Sequence, residues 1–211
     1  MHVLCAVFIL SAIVPVNNET YAAESSSGTL LGEFTSKVSS SLVSFSYTYS
    51  VNSKVKIQGS GYAMLQGNAF YMKGNGLEIW CNGRTKWTVD RTAGEAVVES
   101  ADANADDYDA NPARMIGSVS KVFDVVSDSK GTFNGKKVDM FVLSPRVKMS
   151  IRRLKLYFSG KDLVGASVAA NDGNVTDFVI FNMIFKSKGS TARFDFDEKK
   201  LDKSYIVTDL R

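Results

Sequence analysis

The chain has 211 residues, with 25 Lys and Arg against 22 Asp and Glu, a formal net charge of +3, one His and two Cys. So small a basic excess excludes binding built on phosphate neutralisation, which sets nucleic acid aside as a partner. With 45% apolar residues, three Pro and a mean hydropathy of -0.05, the composition fits one folded globular domain and excludes both a disordered tail and a polytopic membrane protein.

Val3–Val16 is an uncharged, mostly apolar run, too short for the roughly 20 residues that span a bilayer, and small residues follow it at Ala22 and Ala23. Residues 1–23 therefore read as a cleaved secretory signal peptide and 24–211 as a single exported domain. Cys5 precedes nearly all of the apolar run, whereas the modified Cys of a lipoprotein follows it. Cleavage after Ala23 removes His2 and Cys5 and leaves Cys81 without a disulfide partner in the chain. A chain with no His has no Ser-His-Asp or Cys-His catalysis and lacks the imidazoles on which most zinc and non-haem iron sites rely. No catalytic residue, metal or cofactor is assigned, and a non-enzymatic role is expected.

Leu30, Leu31, Phe34 and Val38 recur at helical spacing. In Val43–Val51 every second residue is large and apolar or aromatic while Ser or Thr intervenes, the period of a strand with one wet face. Short strand-like segments follow at Gly61–Gln66, Ala69–Lys73, Leu77–Cys81, Thr85–Asp90 and Glu95–Ser100. They are separated by Gly-Asn, Asn-Gly and Ala-Gly steps that suit hairpin turns. The acidic stretch from Asp102 to Asp109 begins like a calcium loop, but Asp107 stands where Gly is needed and Ala113 where a Glu is needed, so it reads as a solvated loop.

Asn111-Pro112 predicts a capped helix start, and Met115, Ile116, Val119, Val122, Phe123 and Val126 continue from it as one amphipathic helix. A second meander is predicted over Lys136–Ser144, Ser150–Ser159, Leu163–Ala170, Thr176–Phe185 and Ala192–Phe196, giving about eleven strands. Phe178-Val-Ile-Phe181 and Met183-Ile-Phe185 are apolar on both faces, so they need a second apolar partner. Arg146, Lys148, Arg152, Arg153 and Lys155 cluster around one strand; Arg153 and Lys155 are expected to share a face with Ile151 and Tyr157. The cluster reads as a solvated face or as a docking patch for an acidic partner or anionic membrane. Asp195 and Glu198, the most suggestive carboxylate pair for an enzyme, sit at a strand end where exposed charge is ordinary.

Taken together, the helix, the aromatic strand, the Gly-rich meander with Asn82-Gly-Arg-Thr-Lys-Trp87, the Asn111-Pro112 helix, Asp172-Gly-Asn-Val-Thr176 and the Phe194-Asp-Phe196 ending resemble the LolA-like periplasmic lipoprotein carriers over roughly Leu30 to Leu201. The resemblance implies a mainly β fold: an incomplete antiparallel barrel whose concave apolar face is covered by an α-helical lid. It implies a periplasmic monomer that takes the acyl chains of lipidated proteins from an inner-membrane lipoprotein-releasing transporter and passes them to an outer-membrane acceptor. A carrier of free lipids or fatty acids, or an envelope sensor of the same fold, are the alternatives.

Under this resemblance the acyl-chain cavity is expected from Tyr47, Tyr49, Phe70, Trp87, Phe178 and Phe181 as broad walls, with Met64, Met72 and Met183 as pliable thioethers. Leu31, Phe34, Met115, Ile116, Val119 and Phe123 are expected in the lid. Related carriers hold the lid closed with an Arg in the turn after the second strand. Gln66 stands nearest that position here, as an uncharged latch candidate.

Overall fold

The computed structural model describes residues 26–52, 57–101 and 112–211. The signal peptide, the acidic stretch and Asn111 lie outside them. The chain opens with α1 (Ser26–Ser40) and passes directly into β1 (Ser41–Asn52). A meander follows: β2 (Ile57–Gln66), β3 (Ala69–Gly74), β4 (Leu77–Cys81), β5 (Thr85–Asp90) and β6 (Glu95–Ser100). After two short helices, α2 (Pro112–Gly117) and α3 (Val119–Val122), a second meander runs through β7 (Phe123–Phe133), β8 (Lys136–Pro145), β9 (Ile151–Ser159), β10 (Asp162–Ala170) and β11 (Val175–Ser187). Single 3₁₀ turns at Thr191–Phe194 and Glu198–Lys200 lead to β12 (Ile206–Asp209).

Among the described residues twelve strands form one sheet, in the order β12-β6-β5-β4-β3-β2-β1-β11-β10-β9-β8-β7. The two meanders meet at an antiparallel β1–β11 seam, so the sheet curls on itself and stays open between β12 and β7. The expected open β architecture is present, with twelve strands among the described residues.

Three elements differ from the sequence expectation. The helical period through Val126 breaks at Phe123, where the chain enters β7 and pairs with β8 from Phe123↔Pro145 to Phe133↔Lys136. Adjacent β-branched Val125 and Val126 suit a strand, and both lie exposed on this edge strand, at 46% and 54%, so the helical spacing of Val126 is coincidental. The expected strand Ala192–Phe196 is a 3₁₀ turn capped by the Ser190 side chain, which accepts from the Ala192 amide. Beyond it, β12 pairs parallel to β6, a strand too short and too exposed to show alternation.

Apolar residues pack on both faces of the sheet. The inner core joins α1, α3 and the concave face and includes Phe34, Val43, Phe70, Leu143, Leu154 and Phe158. On the outer face residues 188–205 lie as a strap over the first meander before β12 joins the sheet edge. Phe194, fully buried, packs with Leu42 and Ala69, and Met64 and Tyr71 close around them. Trp87, Val89, Ala96 and Val98 are buried on this same face, where cross-strand register sets Trp80 beside Trp87, Trp87 beside Val98 and Val89 beside Ala96. The strap is tied by Trp87 Nε1 donating to Glu198 Oε1 at 2.9 Å and Asn82 Nδ2 donating to Asp195 Oδ1 at 2.7 Å. The Arg91 guanidinium lies over both the Phe196 and Tyr205 rings. Asp195 and Glu198 are thus structural acceptors on the strap.

Candidate functional site: an apolar cavity inside the curled sheet

The concave face does not fill completely. A cavity of about 260 Å³ lies between the sheet and the helices, lined by Phe34 and Val38 of α1, Met115 and Ile116 of α2, Val119 of α3, and inward residues of β1, β2, β3, β9, β10 and β11. Among the described residues no charged side chain lines it, and only Tyr47 and Thr176 bring hydroxyls. The site therefore offers mainly dispersion contacts and exclusion of water, with two hydroxyls as the polar groups of its described lining.

Strand alternation places the wall. In β1, Val43, Phe45, Tyr47 and Tyr49 share the inner face; their partners Leu65, Ala63, Gly61 and Gly59 on β2 do the same. The two glycines make room for the rings: a Cβ on Gly61 would collide with the Tyr47 hydroxyl oxygen, and one on Gly59 would stand 2.8 Å from that of Tyr49. Tyr47 and Phe178 meet edge to face at 5.9 Å, and Tyr49 completes the cluster at 6.4 Å from Tyr47 and 6.2 Å from Phe178. Burial, and then the neighbouring Tyr49, raise the Tyr47 hydroxyl above its ordinary pKa, so it stays a neutral wall residue.

A bulge aims the rest of β11. Between Ser44 and Ser46 the register gains one residue on β11, where Asn182 takes φ 54°. The extra residue lets both Ile180 and Met183 line the cavity, although an odd spacing separates them. A register shift between Ala169 and Ala170 does the same for β9, so Ile151 lines the cavity with Leu154 and leaves the outer face that Arg153 and Lys155 share with Tyr157.

The lid is pinned at several points. Ser39 of α1 donates to the Gly117 carbonyl of α2 at 2.9 Å, Lys161 pairs with Glu33 at 2.9 Å, and the Lys37 ammonium sits 4.1 Å above the Phe185 ring. Phe34 meets Phe158 edge to face at 5.3 Å, fixing α1 against the floor.

The expected cavity residues divide. Tyr47, Met72, Phe178 and Met183 line it, as do the lid residues Phe34, Met115, Ile116 and Val119. Tyr49 and Phe70 face inward but stand outside the lining, Tyr49 in the aromatic cluster and Phe70 buried in the core. Leu31 and Phe123 are core residues, Phe123 at the start of β7. Met64, Trp87 and Phe181 point the other way. Met64 lies opposite Ser44, Phe181 opposite Ser46 and Trp87 opposite Trp80, all on the outer face, where Phe181 remains 44% exposed.

Gln66 is also on the outer face. Its amide does not reach the lid; it donates to the Gly189 carbonyl at 2.7 Å and accepts from the Gly189 amide at 3.0 Å, fastening the strap. The larger omission is aliphatic. Leu65, Leu154, Leu156, Leu163, Val168 and Ile180 supply much of the lining, and their strand alternation was the signal that could have found them.

In structure the chain aligns with an uncharacterised conserved protein from Thermus thermophilus at 11% identity, covering 88% of this chain and 99% of that one with a TM-score of 0.51. The two share a fold. Structures matched at lower scores include a LolA superfamily protein from Nitrosomonas europaea, 10% identical over 84% of this chain and 98% of that one with a TM-score of 0.40. Another is a putative outer membrane lipoprotein-sorting protein domain from Vibrio parahaemolyticus, 9% identical over 83% and 96% with a TM-score of 0.37. No protein family profile matches the sequence, and no curated protein does.

Proposed function

We propose that this protein is an acyl-chain carrier of the periplasm, which shields the hydrocarbon of lipidated proteins while they cross from the inner to the outer membrane. One observation carries this reading: a cavity of about 260 Å³ under a helical lid, with no charge among the described residues that line it. Each methylene withdrawn from water contributes about 0.8 kcal/mol, so a carrier needs an apolar hollow and little else. The reading assigns binding rather than catalysis. Its partners are a lipoprotein-releasing transporter at the inner membrane and an acceptor at the outer membrane. The carrier resemblance in the sequence supports it.

Depletion in the native host tests the proposal. Lipoproteins destined for the outer membrane should accumulate in the inner membrane, and restoring the protein should clear them. Normal distribution after depletion would contradict the transport role.

A further inference from the structure

We propose that the cavity takes one acyl chain per protein molecule, seated to a depth of about ten carbons. The inference rests on the acyl-carrier reading and narrows its substrate class to a single hydrocarbon chain. A dry apolar cavity of about 150 Å³ accepts a benzene ring, about 25 Å³ per carbon. At that ratio the 260 Å³ here holds about ten carbons of one tail. Two tails side by side need about twice that space. The lid that would have to move is pinned by Ser39 on Gly117, Lys161 on Glu33 and Lys37 on Phe185.

The lining fits a flexible tail. Met72, Met115 and Met183 adapt to its path while Phe34, Phe45 and Phe178 give flat walls. With no charge among the described lining residues, a headgroup remains outside. Two sources present this chemistry: a free single-chain lipid, and one chain of a lipidated polypeptide.

The test is a chain-length series of straight fatty acids from about six to about sixteen carbons, titrated against the full protein by calorimetry. Affinity should rise up to about fourfold per methylene and level off near ten carbons, at one ligand per protein. A dipalmitoyl peptide should bind within about tenfold of its monopalmitoyl counterpart, because the second tail finds no room. Comparing the monopalmitoyl peptide with palmitoyl lysophosphatidylcholine separates the two sources, the tighter ligand naming the class. Ala166→Leu, which adds carbons to the cavity wall, should move the plateau to shorter chains by about two or three carbons. Affinity that climbs through sixteen carbons, two ligands per protein, or a dipalmitoyl gain of several orders of magnitude would overturn the one-chain inference and leave the carrier reading standing. Absence of binding by every chain would overturn the carrier reading beneath it.

Discussion

Gln66 and Gly189 hold each other by two hydrogen bonds, at 2.7 and 3.0 Å, across 123 residues of sequence. Gln66 is 6% exposed, so its amide and the Gly189 peptide depend on one another. Gln66→Ala should lower unfolding stability by about 1–3 kcal/mol in chemical denaturation, since both Gly189 groups lose their partner. Acyl-probe affinity should stay within about twofold, because the pair lies on the face opposite the cavity.

Phe181 lies outside the cavity and Ala166 lines it. Phe181→Asp should leave probe binding unchanged. Ala166→Leu removes space for about two or three methylenes and should weaken a decanoyl probe by on the order of 10- to 50-fold, with no loss of thermal stability. Equilibrium fluorescence titration measures both.

Gly61 sits beneath the Tyr47 ring. Gly61→Val sets carbon against both the Tyr47 phenol and the Lys73 carbonyl, and should displace Tyr47 from the wall and strain the β2–β3 pairing, lowering stability by about 1–3 kcal/mol and weakening the probe. Denaturation and titration of the same sample separate the two losses.

Hydrogen bonding from Arg91 foremost, with a further bond from Trp80, holds the Glu78 carboxyl below its ordinary pKa against the opposing effect of burial. A depressed folded-state pKa contributes stability that is present above the unfolded value of 4.5 and is lost as the pH falls through the folded value. The melting temperature should therefore fall on acidification below about pH 4.5 more steeply than that of Glu78→Gln, and the two curves should converge at lower pH. Melting curves of both proteins across that range measure the effect.

Much of the fold was legible because turns rich in Gly and Asn punctuate the chain at regular intervals. Leu77–Cys81, Thr85–Asp90 and Glu95–Ser100 have the bounds their turns predicted. Which face each strand turns inward was harder to read, because both faces carry apolar residues: Trp87 and Met64 serve the layer under the strap as Met72 serves the cavity. Bulges at Asn182 and near Ala169 shift the alternation by one residue, so Met183 lies inside and Phe181 outside although two positions separate them. The strap hides behind a strand period: Ala192, Phe194 and Phe196 alternate with charged residues, yet the segment forms a 3₁₀ turn. It is held by 3₁₀ turns, Phe194 and side-chain hydrogen bonds.

The central claim is that a hydrocarbon tail lies inside the curl of the sheet. Photo-crosslinking an acyl probe with a diazirine near its methyl end, followed by peptide mapping, tests it most directly. Labels should fall on cavity residues such as Leu154, Ala166, Ile180 and Met183 and diminish in Ala166→Leu. Labels confined to the outer face, around Phe181 and Ile184, would contradict it.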